Sequence, residues 1–358
     1  MTATKPVMTV LVGCGAVAAL YYSPALKALQ KARELKVIGF VDPNLANIHQ
    51  LRRDFPEAAR FDSLSEIYSS QAELAIIASP PQCHADQTIQ LLRAGLSVLC
   101  EKPMATSVIE GQAMVEAASA APGLLAIGLS RRFFPATQTI RDVLCNGMIG
   151  DVVSFCFEEG SDFNWPVRSR DYFLGHGGRG GVLLDLGVHA LDLLAWWWGQ
   201  PDLMMYEDDA MGGIEATCRI TVHFARGFGG EIRLSRDWPL SNEYFIKGSK
   251  GWLSWQVHEA DKIHIGVNQS RYTLDAQLHD TSNQLCGRLP AADFHRSFLE
   301  QLRNVVAAIR TGERPRVSGE DGLQSLILLD RCYRNRKMIE MPWLSDIEYE
   351  RAKELGAA

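Results

Sequence analysis

A lysine, an aspartate and a histidine stand in this chain where they can move a proton. Lys102 follows the apolar run Ser97–Cys100, within Glu101-Lys102-Pro103. Asp185 and His189 lie four apart in Gly180-Gly181-Val182-Leu183-Leu184-Asp185-Leu186-Gly187-Val188-His189, with Asp192 further on. On an α-helix that spacing puts them on one face. An imidazole beside a carboxylate is held in one orientation, and its charged form is stabilised. Such a histidine can take or return the proton of a secondary alcohol as hydride leaves the carbon. A lysine ammonium can hydrogen-bond the reacting oxygen and offset its developing charge. The same spacing also suits a buried, satisfied histidine with a capping aspartate. A zinc site from Asp185, His189 and Asp192 would lack a further His or Cys to complete a recognisable pattern, so no metal is expected.

The turn Gly13-Cys14-Gly15-Ala16-Val17-Ala18 follows the apolar run Val7–Val12 and opens a helical stretch. That context suits a dinucleotide. Gly13 permits the tight turn, Gly15 lets a pyrophosphate approach the backbone, and small Ala18 lets helix and strand pack closely. The helix N-terminus offers free N–H groups and a favourable dipole to the phosphates. Asp42 ends the next strand, 24 positions past Ala18. At about that offset an acidic side chain accepts from the adenosine ribose and repels a 2′-phosphate. The following Pro43-Asn44-Leu45 brings no basic residue. NAD is therefore expected over NADP. A ligand-free tight turn, and a turn-forming Asp-Pro, are the plainer alternatives.

These residues need a scaffold. Short apolar runs at Val7–Val12, Lys36–Val41, Leu74–Ala78, Ser97–Cys100 and Leu124–Gly128 alternate with helical patterns. The helices are expected from Ala16 to about Glu34, and at Leu45–Asp54, His84–Ala94 and Val108–Ala120. This alternation predicts a doubly wound parallel sheet in a dinucleotide-binding domain over 1–130. After a helix at Pro135–Asn146 the pattern turns to strands: Val152–Glu158, Glu215–Phe224, Gly229–Ser235, Glu243–Lys247, Gly251–Trp255 and Lys262–Ile265. Two helices follow, Ala291–Thr311 and Gly322–Met338, and polar Gln269–Leu289 is expected as a loop. The second domain, 131–358, is thus α+β: an open, mostly antiparallel sheet with helices on one face, whose closing helices can pack back on the first domain. Trp196-Trp197-Trp198 and Met204-Met205 are expected to serve packing.

The chain has 358 residues, enough for two domains, with 47% hydrophobic and 22% charged residues. A net charge of −6 argues against nucleic acid as partner. Val182–Trp198, the longest apolar run, is broken by Asp185, His189 and Asp192, so no membrane partner is expected. The N-terminal residues lack a secretory pattern, and a cytoplasmic location is expected. The eight cysteines form no Cys-x-x-Cys pair and read as buried free thiols.

Taken in order, these motifs resemble the glucose–fructose oxidoreductase, inositol dehydrogenase and rhizopine-catabolism (Gfo/Idh/MocA) family over nearly the whole chain. The marks are Gly13-Cys14-Gly15, Ala78-Ser79-Pro80-Pro81-Gln82-Cys83-His84, Glu101-Lys102-Pro103, the Gly180–His189 segment and Gly319-Glu320-Asp321-Gly322. The resemblance implies a Rossmann domain followed by a mostly antiparallel α/β domain. It implies cofactor contacts from the Gly13–Val17 turn (Gly13, Cys14, Gly15, Ala16, Val17), Asp42, Ala78, Ser79, Pro80, His84, Glu101 and Lys102. It places Lys102, Asp185 and His189 around the reacting hydroxyl of a sugar or cyclitol. Arg179 is a bulky residue within the glycine-rich Gly177–Gly181 stretch, so local substrate contacts are expected to differ.

Arg132, after the last Rossmann strand, is a candidate substrate contact. So are Trp165, Arg168, Arg170 and Tyr172 in the loop before Asp185 and His189: Trp165 to stack on a sugar ring, the arginines to hold hydroxyls, a carboxylate or a phosphate. An ordinary surface loop is the alternative. The expected activity is hydride transfer between nicotinamide and a secondary alcohol or ketone of a sugar, sugar derivative, nucleotide sugar or cyclitol. A non-catalytic dinucleotide-sensing regulator and an NAD-dependent glycosidase are the competing functions. A sheet with one uncovered face predicts a homodimer or homotetramer.

Overall fold

The computed structural model describes residues 5–163, 180–210, 213–267, 270–276, 294–340 and 345–356. Among these, two compact units separate: one of residues 5–133 and 294–326, the other of 134–163, 180–276 and 327–356.

The first unit is built on six parallel strands: β1 Val7–Val12, β2 Leu35–Val41, β3 Ala59–Arg60, β4 Leu74–Ile77, β5 Ser97–Glu101 and β6 Leu125–Gly128. Their order is β3-β2-β1-β4-β5-β6. The central strands are apolar on both faces; all four residues of β4 and of β6 are buried. Two-residue β3 is exposed and carries no apolar signal, which is why sequence patterning passes over it. The short helix Leu64–Tyr68 is likewise unforeseen. Helix Val108–Ala120 opens with a capping box: the Glu110 N–H donates to Ser107 Oγ, and the Ser107 N–H donates back to the Glu110 carboxylate.

The first helix departs from expectation in not being uniform. A π turn, Ala18–Tyr22, precedes the α-helix Ser23–Lys31. Of the closing helices, Phe294–Thr311 packs back on this unit. Its Phe298, Leu302, Val305 and Val306 share one buried cluster with Leu26, Leu29, Val37 and Phe40. Beyond it, Val317 O accepts from Ile127 N at 3.1 Å, and Ser318 bridges Ala126 on β6. A Cβ on Gly319 would lie 2.8 Å from Leu125, and one on Gly322 2.6 Å from Ile127, so both glycines allow this strand and helix to approach.

The second unit holds nine strands: β7 Val152–Gly160, β8 Leu203–Asp208, β9 Thr217–Phe224, β10 Phe228–Ser235, β11 Glu243–Gly248, β12 Gly251–Gln256, β13 Lys262–Val267, β14 Ser270–Asp275 and β15 Arg336–Met338. The order is β14-β13-β12-β11-β7-β10-β9-β8-β15. β7 and β10 pair in parallel, as do β8 and β15; the other pairs are antiparallel. Three strands, β8, β14 and β15, were not foreseen. β14 lies inside the segment expected as a loop, because an exposed edge strand shows no apolar alternation. β15 replaces the end of the expected helix Gly322–Met338; that helix is Gly319–Arg334. A further helix spans Asp346–Gly356.

One face of this sheet is packed. Phe157 stacks on Tyr244 at 4.2 Å, and Trp198 lies 5.0 Å from Phe155. Trp197 Nε1 donates to Thr137 O at 3.2 Å, tying helix Val188–Trp198 to helix Pro135–Cys145. Met204 is buried, whereas Met205 is exposed. The other face is mixed rather than uniformly apolar. Arg219 pairs with Glu207 and Glu231, and Arg233 bonds Glu231 at 2.8 Å and Glu158 at 3.2 Å. Half-buried Phe245 and Trp252 stack at 5.8 Å nearby. Among the described residues no helix is long and apolar enough to cross a membrane.

Candidate active site

In the first unit the strand order reverses between β1 and β4, and ligands of open α/β sheets lie at the carboxyl ends of strands there. The glycine turn leaves β1 at this point. Gly13 has φ +85°, a left-handed conformation suited to glycine, and a Cβ there would stand 2.4 Å from Ser79 N. The turn after β1 therefore lies directly on the turn after β4. A Cβ on Gly15 would meet no atom within 4 Å. That open approach, beside the first turn of a helix, fits a pyrophosphate. Asp42 stands at the end of β2. Its carboxylate accepts from Cys14 N and from Asn44 N, each at 2.7 Å, so it braces the glycine turn. Asn47 Nδ2 also donates to both oxygens, at 3.4 Å. The Cys14 thiol is buried and its pKa is raised by that burial and by Asp42, so the residue serves through its backbone. Ala16 is buried; Gly15 and Val17 are half-buried.

Ala78, Ser79 and Pro80 are half-buried at the end of β4. His84 is not available to a ligand: its side chain is buried, with Nδ1 2.8 Å from Pro103 O and Nε2 2.8 Å from Ser79 O. Burial lowers its pKa, against the two carbonyls, which favour the charged ring. The expected cofactor contact is thus corrected to a tie between the turns after β4 and β5.

The β5 turn carries Glu101 and Lys102. Glu101 is buried and accepts from Tyr22 at 2.7 Å and from Lys102 N at 3.1 Å. Burial pushes its carboxyl up, while Tyr22 and the Lys102 charge oppose the rise. Lys102 itself is half-buried. Gly13, Ser79, His84 and Pro103 therefore join the ends of β1, β4 and β5 into one surface that bears Lys102.

Arg132 pairs with a distant carboxylate. It is buried in the turn Ser130–Phe133, and its Nη1 bonds Asp321 at 3.0 Å. Burial would raise the Asp321 carboxyl, but Arg132 and Ser318 outweigh it and hold the pKa low. Asp321 also receives Ser318 N at 3.0 Å at the start of helix Gly319–Arg334. The Gly319–Gly322 motif is therefore a docking device for Arg132 and β6.

In the second unit Asp185 and His189 do not share one unbroken α-helix. Asp185 lies in a π turn, Leu183–Gly187, and His189 in the α-helix Val188–Trp198 that follows. A π turn inserts a residue and changes the phase of the faces, so four-residue spacing alone misplaces the pair. Both side chains are half-buried, whereas Asp192 is buried. Asp185 is ion-paired with Arg236, just after β10. The Arg236 guanidinium also lies 5.6 Å from the Phe163 ring centroid. Nothing in the local sequence marked Arg236; its position follows from the register of β10 and from Ser235 Oγ, which accepts from Asp237 N and Trp238 N.

The π turn is anchored from behind by Glu215, which accepts from Leu183 N at 3.1 Å, Tyr333 at 2.9 Å and Arg336 at 3.1 Å. A Cβ on Gly181 would stand 2.1 Å from Glu215 O, so glycine is required for this approach. Arg336 is shared with Asp208, at 2.6 Å. Burial, with Asp208 nearby, pushes the Glu215 carboxyl up to about 7. Among the described residues no three His, Cys, Asp or Glu converge as metal ligands. Trp165, Arg168, Arg170 and Tyr172 lie outside the described residues.

Residues 7–129 match the family model "Oxidoreductase family, NAD-binding Rossmann fold", and residues 141–338 match "Oxidoreductase family, C-terminal alpha/beta domain". The chain is 29% identical over 231 residues to trans-1,2-dihydrobenzene-1,2-diol dehydrogenase of Mus musculus, covering 62% of this chain and 67% of that one. It spans 59% of the length of the Bos taurus counterpart, at 29% identity over 56% of this chain. Inositol 2-dehydrogenase of Rhizobium meliloti (strain 1021) is 24% identical over 75% of this chain and 79% of its own. A solved 3-ketoreductase from Actinomadura kijaniata, in complex with NADP and TDP-benzene, superposes with TM-score 0.78 at 21% identity, over 94% of this chain and 100% of that one. An Agrobacterium radiobacter oxidoreductase with NAD+, L-tartaric acid and magnesium gives 0.78 at 20% identity, over 93% and 96%. These two structures share the fold. With both halves matched, and with a dinucleotide turn braced by Asp42 at the switch point, the chain belongs to the Gfo/Idh/MocA family of NAD(P)-binding oxidoreductases.

Proposed function

We propose that the protein is an NAD-preferring dehydrogenase or ketoreductase acting on a secondary alcohol or ketone of a sugar, sugar derivative or cyclitol. The observation that carries this reading is the joining of the β1, β4 and β5 turns, which sets Lys102 on the same sheet edge as the glycine turn. The names of the relatives, an inositol dehydrogenase, a dihydrodiol dehydrogenase and a 3-ketoreductase, favour ring-borne hydroxyl or keto substrates.

When bound, the dinucleotide supplies a hydride acceptor or donor. The protein's own residues do the rest. Gly13, Gly15 and the first helical turn hold the pyrophosphate, and Asp42 accepts from the ribose. Lys102 hydrogen-bonds the reacting oxygen and stabilises its charge. His189 exchanges the proton. Asp185, paired with Arg236, is held as an anion that orients imidazole or substrate. Trp165, Arg168, Arg170 and Tyr172 remain candidates for substrate contact. The NAD preference rests on the repulsion of a 2′-phosphate by Asp42.

The test is incubation with NAD and with NADP against a panel of sugars, cyclitols and nucleotide sugars, following the absorbance of the reduced cofactor. Turnover of a polyol is the expected result. Dinucleotide binding without turnover of any member would replace this reading with that of a cofactor-sensing regulator. A cleaved glycoside among the products would point to a glycosidase instead.

A further inference from the structure

Glu101 closes β5 with its carboxylate inside the protein, over Gly128, where a Cβ would stand 2.8 Å from Oε1. Its two oxygens have different donors: Oε1 takes the Tyr22 hydroxyl, and Oε2 takes the Lys102 N–H. Tyr22 is fully buried at the end of the π turn Ala18–Tyr22. That turn presents successive tyrosines to helix Phe294–Thr311: Tyr21 stacks on Phe298 at 4.9 Å, and Tyr22 meets the same ring edge-on at 5.1 Å. From the next turn of that helix, Gln301 Nε2 donates to the Tyr22 oxygen at 3.2 Å.

The direction of this chain is set by proton count. A phenol carries one proton. With Gln301 donating to the Tyr22 oxygen, that proton goes to Glu101. An amide turned the other way would offer its oxygen to Tyr22 and compete for it. Instead Gln301 Oε1 is buried without a hydrogen-bond partner among the described residues. The orientation with Nε2 toward Tyr22 is the one that leaves the phenol proton to Glu101.

We propose that Tyr22 and Gln301 are positioning residues for the Glu101–Lys102 turn: they lock the Glu101 side chain, which in turn holds the Lys102 backbone N–H. The proposal rests on the reading that Lys102 serves the reacting oxygen. Tyr22, being fully buried, acts through Glu101 and does not touch substrate. The ionisable groups facing Glu101 are Tyr22, Lys102 and the Cys100 thiol; burial pushes the tyrosine and the thiol up, leaving both neutral. Helix Phe294–Thr311 would thus set the geometry of the lysine turn by a hydrogen-bond chain as well as by packing.

The experiment titrates Glu101 in the full-length protein by carbon-13 NMR of labelled glutamate, with Glu101→Gln to assign the signal. Tyr22→Phe, nearly isosteric, should raise the Glu101 midpoint by at least about half a pH unit, since a donor to the charged form is lost. Gln301→Leu should move it the same way by less. On a substrate found in the panel, both variants should lower kcat about tenfold, with dinucleotide affinity within about threefold, as expected for a misplaced catalytic group. An unmoved midpoint in Tyr22→Phe overturns the proposal, and so does a moved midpoint with wild-type turnover in both variants. Should no panel member be turned over, the functional reading falls on its own, and the titration alone decides whether the chain holds Glu101.

Discussion

Asp185 is ion-paired with Arg236, a residue from the far end of β10 that no motif announced. Both side chains are half-buried, so the pair is less screened than a surface one. In the proposed mechanism this aspartate orients the imidazole or the substrate. Replacing Arg236 by Ala should lower turnover at least about tenfold, by removing a guanidinium charge from beside a partly buried carboxylate. Arg236→Lys, which keeps charge but not the planar fork, should recover part of that loss. Steady-state rates of the two variants decide it; wild-type rates for Arg236→Ala would show the pair to be incidental.

The proton chemistry itself is assigned to His189 and Lys102. Each Ala variant should lose at least roughly a hundredfold in turnover, the usual cost of a positioned proton-transfer group. Cofactor affinity should change far less for His189→Ala than turnover does. Rates against pH on a confirmed substrate are the measurement. A His189→Ala enzyme with near wild-type turnover and an unchanged profile would make His189 structural.

Glu215 links the site to pH through stability. Its carboxyl is pushed from 4.5 to about 7 in the folded protein, mainly by burial. Between those values the folded state binds more protons than the unfolded chain, so this group's contribution to stability is full below 4.5 and is lost as pH rises through 7. Glu215→Gln still accepts from Leu183 N but does not titrate. The difference between wild type and variant in urea midpoint should therefore change across this window, wild type losing ground as pH rises. A pH-independent difference would mean that Glu215 is ionised throughout.

Asp42 has two roles that one substitution separates. It braces the glycine turn through Cys14 N, and in the proposed function it repels a 2′-phosphate. Asp42→Ala should weaken NAD binding and shrink the preference over NADP, whereas Asp42→Asn should shrink the preference with a smaller loss of NAD affinity. Equilibrium titration with both dinucleotides gives the ratio. A wild type that binds both equally contradicts the assignment.

The mixed face of the second sheet is proposed to join copies of the chain as a dimer or tetramer. Phe245 and Trp252 supply apolar area, and the Arg219 and Arg233 ladder supplies charge. Trp252→Glu should shift the protein toward monomer in sedimentation at micromolar concentration. Because exposed ion pairs are screened, added salt should modulate the association. A wild type that sediments as a monomer would refute it.

What the sequence determined by itself was local. Apolar runs flanked by turn residues identify β1, β2, β4, β5 and β6 because strands buried on both faces leave an unbroken signal. Gly13, Gly15, Asp42 and the Glu101-Lys102-Pro103 turn were legible because each lies just after such a strand, where backbone chemistry is the same in any parallel sheet. Strands β3, β8, β14 and β15 were not: β3, β14 and β15 because short or exposed edges need no apolar pattern, β8 because Met204-Met205 reads as packing without marking a strand.

Tertiary structure decided the partners. Arg132 reads from the chain as a pocket arginine; only the docking of Ser318 and Gly319 on β6 brings Asp321 to it, 189 residues away. His84 reads as a ligand contact, and only the juxtaposition of two strand ends places it between carbonyl oxygens. The spacing of Asp185 and His189 assumes a regular helix; the π turn, braced by Glu215, breaks that assumption. A side chain's type and local phase are written in its neighbours along the chain. Its charge partner is set by which distant segment packing brings within hydrogen-bond reach, and a one-dimensional pattern does not contain that distance.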